Sequence, residues 1–307
     1  GSRIYPSRES TTVSYDLSPI EQELYEQLTS YVRTYFNQAR SLNRSAARLA
    51  MSVLQRRAAS STWALLRSLE RRRDRLDEYI RAFSARELTE ERLAAEQARL
   101  RLRDIEEEMT SEEEEAQDGR EERDVAEEAA MGATAATTVA ELEAERLEVL
   151  QLVDLAQRAH ETGDESKFEK LREVIHDERF KGEKLLIFTE HRDTMEFLVR
   201  RLEGMGYTGE IARIHGGMPY QEREAQMEAF RTRCRFMVAT DAAGEGINLQ
   251  FCWIMVNYDI PWNPARIEQR MGRIHRYKQR HDPVVLINLV AGKTREGRVL
   301  RTLLEKL

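Results

Sequence analysis

Five apolar stretches decide how the second half of this chain folds: LLIFT (185–189), IARIH (211–215), RFMVAT (235–240), WIMVNYD (253–259) and VVLINLVA (284–291). Each is short and bounded by polar residues, which predicts a strand. Amphipathic patterns over 192–204, 219–231, 264–271 and 295–306 lie between and after them and predict helices. Strands apolar along their whole length are covered on both faces, and strands separated by helices are joined by crossovers. The expected fold is therefore α/β, a parallel sheet flanked by helices. Ligands of such sheets bind beyond the carboxyl ends of the strands. The polar clusters stand there: Thr189-Glu190-His191-Arg192, His215-Gly216-Gly217, and Thr240-Asp241 running into Gly244-Glu245-Gly246.

Upstream the pattern is mostly helical. TTVSYDL (11–17) alternates enough to be extended, and Ser18-Pro19-Ile20-Glu21 reads as a capping box with proline at the first helical position. Leu24, Leu28, Tyr31 and Tyr35 follow at helical spacing. A second helix is expected over 44–58. A third begins near Ser61-Thr62, with Leu66, Leu69, Leu76, Ile80 and Phe83 inward and Arg71, Arg72, Arg73 and Arg75 around its other sides. Residues 104–130 carry almost no large apolar side chains, and like-charge repulsion there favours a loose helix or disorder. Helical pattern resumes over 138–178, with Leu142, Val149, Val153 and Ala156 on one stripe. The boundaries read from this pattern are 1–43, a helical segment 44–180 with its acidic stretch, and the α/β region 181–307.

The chain has 307 residues and a net charge of -7, but that mean hides two halves of opposite sign. Residues 181–307 hold 21 Lys and Arg against 16 Asp and Glu, whereas 104–128 alone hold 14 acids and two arginines. Overall acidity therefore does not argue against a nucleic-acid partner. No run of 18 apolar residues occurs, so neither a transmembrane span nor a membrane partner is expected. Cys234 and Cys252 both sit in apolar segments, which fits a reducing, cytoplasmic location. No His or Cys partners at short spacing accompany them, so no metal site is expected. Gly1-Ser2 resembles the scar of an expression tag and is left out of the reading.

Two constellations carry chemistry. In Gln269-Arg270-Met271-Gly272-Arg273-Ile274-His275-Arg276, three arginines recur at every third position, and Gly272 is expected to let the backbone approach a neighbour closely. Three guanidinium forks on one face suit several phosphate oxygens, although these residues alone are equally compatible with a solvated arginine face. The second is Ala239-Thr240-Asp241-Ala242-Ala243-Gly244-Glu245-Gly246-Ile247-Asn248-Leu249-Gln250, a strand end followed by glycines whose amides can face an anion. Asp241 and Asn248 can hold this loop or meet a ribose. An ordinary strand-to-helix turn has the same composition.

Taken in order, these two segments resemble motifs V and VI of the superfamily-two helicases. Asp259-Ile260-Pro261-Trp262-Asn263-Pro264 between them resembles an element of the SWI/SNF-like branch. KLLIFTEHRDTMEFL (184–198) resembles motif IV, and RIHGGMPYQEREAQMEAF (213–230) the segment after it. TTVSYDLSPIEQELY (11–25) resembles the linker leading out of the first lobe in that branch, and the bacterial RapA-like members are the most similar. The resemblance covers about 184–307 and implies a RecA-like C-terminal lobe of an ATP-dependent, DNA-stimulated translocase. It implies that Arg273 and Arg276 are arginine fingers acting on ATP held by the other lobe. Gly244, Gly246, Asn248, Gln269 and Arg270 fall on its nucleotide-binding side, Arg270 as a brace of the lobe. His191, Arg192, Gly216, Arg223 and Thr240 fall where nucleic-acid phosphates are contacted or the contact is supported. One departure is Tyr277-Lys278-Gln279 after the last arginine, where the family places a glycine at the position of Lys278.

The 307 residues lack the G-x-x-x-x-G-K-[ST] loop and the acidic magnesium box of a complete motor. Gly292-Lys293-Thr294 is a decoy, because Ile287 stands where the leading glycine belongs. ATP and Mg2+ are thus expected to be held mainly by a first lobe, with none bound to this chain alone and no hydrolysis by it. The expected partners are double-stranded DNA, that first lobe, and possible protein partners of the helical segment. A non-catalytic nucleic-acid clamp and a helical scaffold for partner binding are the competing readings, and the intact arginine triplet argues against both.

Overall fold

A computed structural model describes residues 6–38, 53–93, 95, 131, 134, 136–241, 248–261, 264–276, 279, 281–292 and 294. It contains a parallel six-stranded sheet: β1 (Arg8–Tyr15), β2 (Leu185–Thr189), β3 (Ile211–Ile214), β4 (Phe236–Thr240), β5 (Ile254–Asn257) and β6 (Val284–Ala291). Their order is β1-β6-β5-β2-β4-β3. Every residue of β2, β4 and β5 is buried, as continuous apolar strands in a doubly covered sheet must be. The extended segment expected at 11–17 begins at Arg8. It pairs with β6 from Arg8↔Val284 to Tyr15↔Ala291, giving the sheet an edge strand from the far N-terminal end of the sequence.

The chain divides into two compact units: Gly1–Ser18 with Asp164–Leu307, and Pro19–Gly163. The division falls elsewhere than the sequence-derived boundaries at 43/44 and 180/181, for two physical reasons. Hydrogen bonds of β1 commit the first segment to the sheet. The helical pattern at 138–178 breaks into α3 (Val139–Glu161) and α4 (Ser166–His176) across Gly163 at φ +70°, and only α3 belongs to the helical unit. The two ends of the α/β unit that flank the helical unit meet, since the Ser18 amide donates to the Ser166 hydroxyl at 3.0 Å.

In the helical unit, α1 (Pro19–Gln38), α2 (Thr62–Ser84) and α3 share one core, into which Leu24, Leu28, Tyr31, Leu69, Leu76, Leu142 and Val149 all pack. The caps follow the local chemistry. The Ser61 hydroxyl accepts from the Ala64 amide at the head of α2, and Thr138 with Glu141 forms a complete capping box on α3. Residues 53–60 are helical, and the rest of the helix expected at 44–58 lies outside the described residues, as do all of 104–130 and the helix expected at 295–306.

One expectation on α2 is overturned. Arg72 is not on a solvated side of the helix but is 1% exposed, paired with an equally buried Glu145. Its guanidinium also donates to the Tyr31 hydroxyl and, at 3.1 Å, to the Met131 carbonyl. Glu145 accepts in addition from Tyr31 at 2.8 Å and from Thr134 at 2.6 Å. The burial is tolerated because this charge is paired and its donors find acceptors.

In the α/β unit, α5 (Arg192–Leu202), α6 (Tyr220–Thr232) and α7 (Pro264–Met271) cover the sheet together with α4. Met195, Leu198, Phe230, Ile267 and Met271 are buried beneath them. Both cysteines are free and buried, and burial pushes the Cys252 thiol up to about 12, so it stays protonated and inert at neutral pH. Among the described residues no helix is long and apolar enough to cross a membrane.

Candidate nucleotide and nucleic-acid site

The carboxyl ends of β2, β4 and β5 fall side by side, and each strand delivers a polar residue there: Thr189, Thr240 and Asn257. Asp241 and Asp259 follow at once. Helix α7 runs from Pro264 and turns its last basic residue, Arg270, into this edge.

Arg270 is 3% exposed and its fork is fully engaged. Nε and Nη2 hold the two oxygens of Asp241, with Nη2–Oδ2 at 2.7 Å, while Nη1 donates to the Asn257 side-chain oxygen at 3.0 Å and to the Asp259 carbonyl. Its guanidinium stands 5.1 Å above the Phe188 ring. Burial alone favours the neutral form, but the Asp241 carboxylate and then Glu190 and Asp259 outweigh it, so the guanidinium is held above its ordinary range. In chemical terms Arg270 clamps the ends of β4 and β5 to α7, and its donors point at protein rather than outward.

Asp259 is the second hub. Its carboxylate accepts from Lys167 at 2.6 Å, from the Thr189 hydroxyl, and from the Glu190 amide at 3.1 Å. A third connection runs to the far edge, where the Asn257 amide donates to Asn288 at 2.8 Å and Asn288 to the Ser10 hydroxyl at 3.4 Å. A continuous polar chain therefore runs from the middle of β1 and β6, at Ser10 and Asn288, to the carboxyl ends of β5, β2 and β4.

Arg273 and Arg276 stand differently. Both are partly exposed in the turn after α7. The Arg273 carbonyl accepts from the Leu249 amide at 3.0 Å, which ties the arginine turn to the exit of the glycine loop. Arg276 Nε donates to the Gly272 carbonyl at 2.8 Å. Gln269 is exposed on the last turn of α7. The Gln279 amide donates to the carbonyls of Cys252 at 2.9 Å and Ile274 at 3.0 Å, pinning the turn beyond Arg276, where the sequence departs from the family pattern; Lys278 lies outside the described residues. The close approach expected at Gly272 is corrected. A Cβ there would meet only the carbonyls of Gln269 and Glu268, at 3.4 and 3.5 Å, which is ordinary contact.

Gly244 and Gly246 lie outside the described residues. Asn248 is exposed, and its side-chain oxygen accepts from the Gln250 amide at 3.3 Å, a local turn at the loop exit. Of the residues expected to serve a nucleic acid, Arg192 has a side chain 62% exposed, near Glu196 at 3.4 Å, at the start of α5. Gly216 follows β3 beside Gly217 at φ +70°, and Arg223 Nε donates to the Met218 carbonyl at 2.9 Å, holding that loop. His191 and Thr240 are buried. No group of three or more His, Cys, Asp or Glu among the described residues is arranged to hold a metal.

Sequence reading did not single out Lys167, Asn257 or Asn288, nor the part taken by Asp259. A signal was present for the asparagines: each interrupts a strand that is otherwise apolar, and a polar group in such a place must find a partner.

Residues 166–278 match the helicase conserved C-terminal domain, and the parallel sheet flanked by helices is RecA-like. Among the proteins the chain is similar to are ATP-dependent helicases and SWI/SNF-related proteins. It is 42% identical over 125 residues to an uncharacterized ATP-dependent helicase, YqhH, of Bacillus subtilis, a match over 41% of this chain and 22% of that protein. It is 32% identical over 145 residues to the SWI/SNF-related matrix-associated actin-dependent regulator of chromatin subfamily A member 1 of Mus musculus, over 46% of this chain and 14% of that one. The matched part of this chain thus corresponds to about a fifth or less of these relatives. The C-terminal part of the Fun30 ATPase domain shares the fold at a TM-score of 0.57 and 15% identity, over 97% of this chain and 89% of its own. The Sulfolobus solfataricus SWI2/SNF2 ATPase core in complex with double-stranded DNA does so at 0.54 and 14%, over 98% of this chain and 44% of its own.

Proposed function

We propose that this chain is the C-terminal motor lobe of an ATP-dependent, DNA-stimulated translocase, and that Arg273 and Arg276 are its arginine fingers. The observation that carries the reading is the division of the arginine triplet. Arg270 is consumed inside the lobe, whereas Arg273 and Arg276 stay partly exposed, and the backbone of Arg273 is bonded to the loop exit. A fork fixed through its backbone and partly exposed to solvent suits charge that develops on a transferred phosphoryl group. ATP held by a first lobe would supply the phosphoanhydride, and magnesium bound with it would neutralise part of the charge. Arg273 and Arg276 would stabilise the rest when the lobes close, with Gln269 on the preceding helical turn. Arg270 holds Asp241, and Leu249 is bonded to the arginine turn, so that closure presents these residues together.

Double-stranded DNA is the proposed track. Arg192, Arg223 and the Gly216 turn contact its backbone, with His191 and Thr240 bracing those contacts. The helical unit is a candidate surface for protein partners, and the cytoplasm the proposed setting. The experiment is steady-state phosphate release by the full-length protein with and without duplex DNA, alongside this chain alone. Release stimulated by duplex and absent from the isolated chain is expected. Full-length protein that binds duplex without turning over ATP would instead establish a clamp.

A further inference from the structure

The polar edge of the sheet contains four buried or nearly buried charges, two of each sign. Arg270 and Asp241 have side chains 3% and 21% exposed, and Lys167 and Asp259 6% and 7%. Lys167 belongs to neither arginine segment nor glycine loop. It is the second residue of α4, beside the Ser166 whose hydroxyl meets the Ser18 amide. Its ammonium reaches Asp259 at 2.6 Å and lies 4.5 Å from the centre of the Tyr258 ring. Asp259 is used twice, its carboxylate by Lys167, Thr189 and the Glu190 amide and its carbonyl by Arg270 Nη1.

We propose that Lys167 is a positioning residue of the motor: by neutralising the Asp259 carboxylate, it reserves the Arg270 fork for Asp241, the residue that opens the glycine loop. Without the ammonium, the buried Asp259 carboxylate loses its lysine counter-charge, and a buried anion so stripped draws on the nearest cation. Arg270 already touches the carbonyl of that same residue. A fork drawn toward a second carboxylate loses the two-pronged geometry that fixes the first. Asp241 then loses its anchor, and the register between the loop exit and the Arg273 turn, set by Leu249 N to Arg273 O at 3.0 Å, loosens.

The inference rests on the motor reading for its catalytic consequence, so the test has two readouts. Lys167→Met, Lys167→Arg and the double variant Lys167→Met with Asp259→Asn are compared with wild type. DNA-stimulated phosphate release is measured in the full-length protein, and amide hydrogen exchange is followed there in peptides spanning 248–252 and 270–276. Lys167→Met is expected to slow stimulated turnover on the order of 10²-fold, the cost of misplacing a catalytic group by about 1 Å, and to speed exchange in both peptides. Lys167→Arg should retain most of both properties. The double variant, which restores charge balance without restoring the side chain, should recover most of what Lys167→Met loses.

A double variant as impaired as Lys167→Met, or more so, makes Lys167 a packing residue and overturns the proposal. Unchanged exchange and turnover in Lys167→Met overturns it equally. If Lys167→Met does not fold but the double variant does, charge balance is upheld; if neither folds, the proposal fails. Wild type that never hydrolyses ATP sinks the motor reading alone, because the exchange pattern still decides what Lys167 does.

Discussion

Single arginines in this chain do unlike work according to what surrounds them, and Arg72 is the clearest case outside the motor edge. Its pair with Glu145 is shielded from water, so removing one partner strands the other. Arg72→Met is expected to cost about 3–5 kcal/mol of stability in the helical unit. Replacing Arg72 and Glu145 together by apolar residues should cost far less, since no buried charge remains. Urea denaturation followed by circular dichroism measures both, and equal losses in the single and double variants would show that packing, not charge, dominates there. The burial could have been read in advance. Arg72 stands three residues after Leu69 and four before Leu76, and Glu145 three after Leu142 and four before Val149, so each lies on the inward stripe of its helix. Residue type suggested solvent while position dictated core, and position won because the two charges answer each other.

Among the elements, the strands and the helix over 264–271 were legible because apolar runs and helical periods report burial directly. What periodicity does not report is which strand lies beside which. The pairing of β1 with β6, and hence the chain from Ser10 through Asn288 and Asn257 to Arg270, depends on contacts between the two ends of the sequence. The arginine and glycine segments were visible through their residue types, but the reason Arg270 differs from Arg273 and Arg276 was not. Their common spacing hides that only Arg270 faces the sheet. The element-scale prediction concerns this chain of asparagines. Asn288→Leu leaves the Asn257 amide buried without its acceptor, at an expected cost of about 1–3 kcal/mol. It should also free the Asn257 side chain that accepts from Arg270. Thermal or urea unfolding that matches wild type within error would mean that the amide finds another acceptor and that the strands are not coupled through it.

For the whole molecule, the consequential fact is that the helical unit interrupts the lobe at one place, where Ser18 and Ser166 are hydrogen-bonded. A connection of a few flexible residues spans that gap. Replacing residues 20–163 by a short glycine-serine linker is therefore expected to leave a folded α/β lobe with β1 still paired to β6. Cooperative unfolding and protected β1 amides in hydrogen exchange are the signs to look for, and a molten product would mean that the sheet depends on the helices. In the proposed motor, Arg273 carries the lobe's part in ATP hydrolysis most directly. Arg273→Ala in the full-length protein, assayed for phosphate release at saturating duplex DNA and for equilibrium binding of a fluorescent ATP analogue, should lose on the order of 10³–10⁵ in turnover, with nucleotide binding nearly unchanged. Loss of binding and turnover in equal proportion would make Arg273 a ground-state ligand, and loss of neither would remove it from the chemistry altogether.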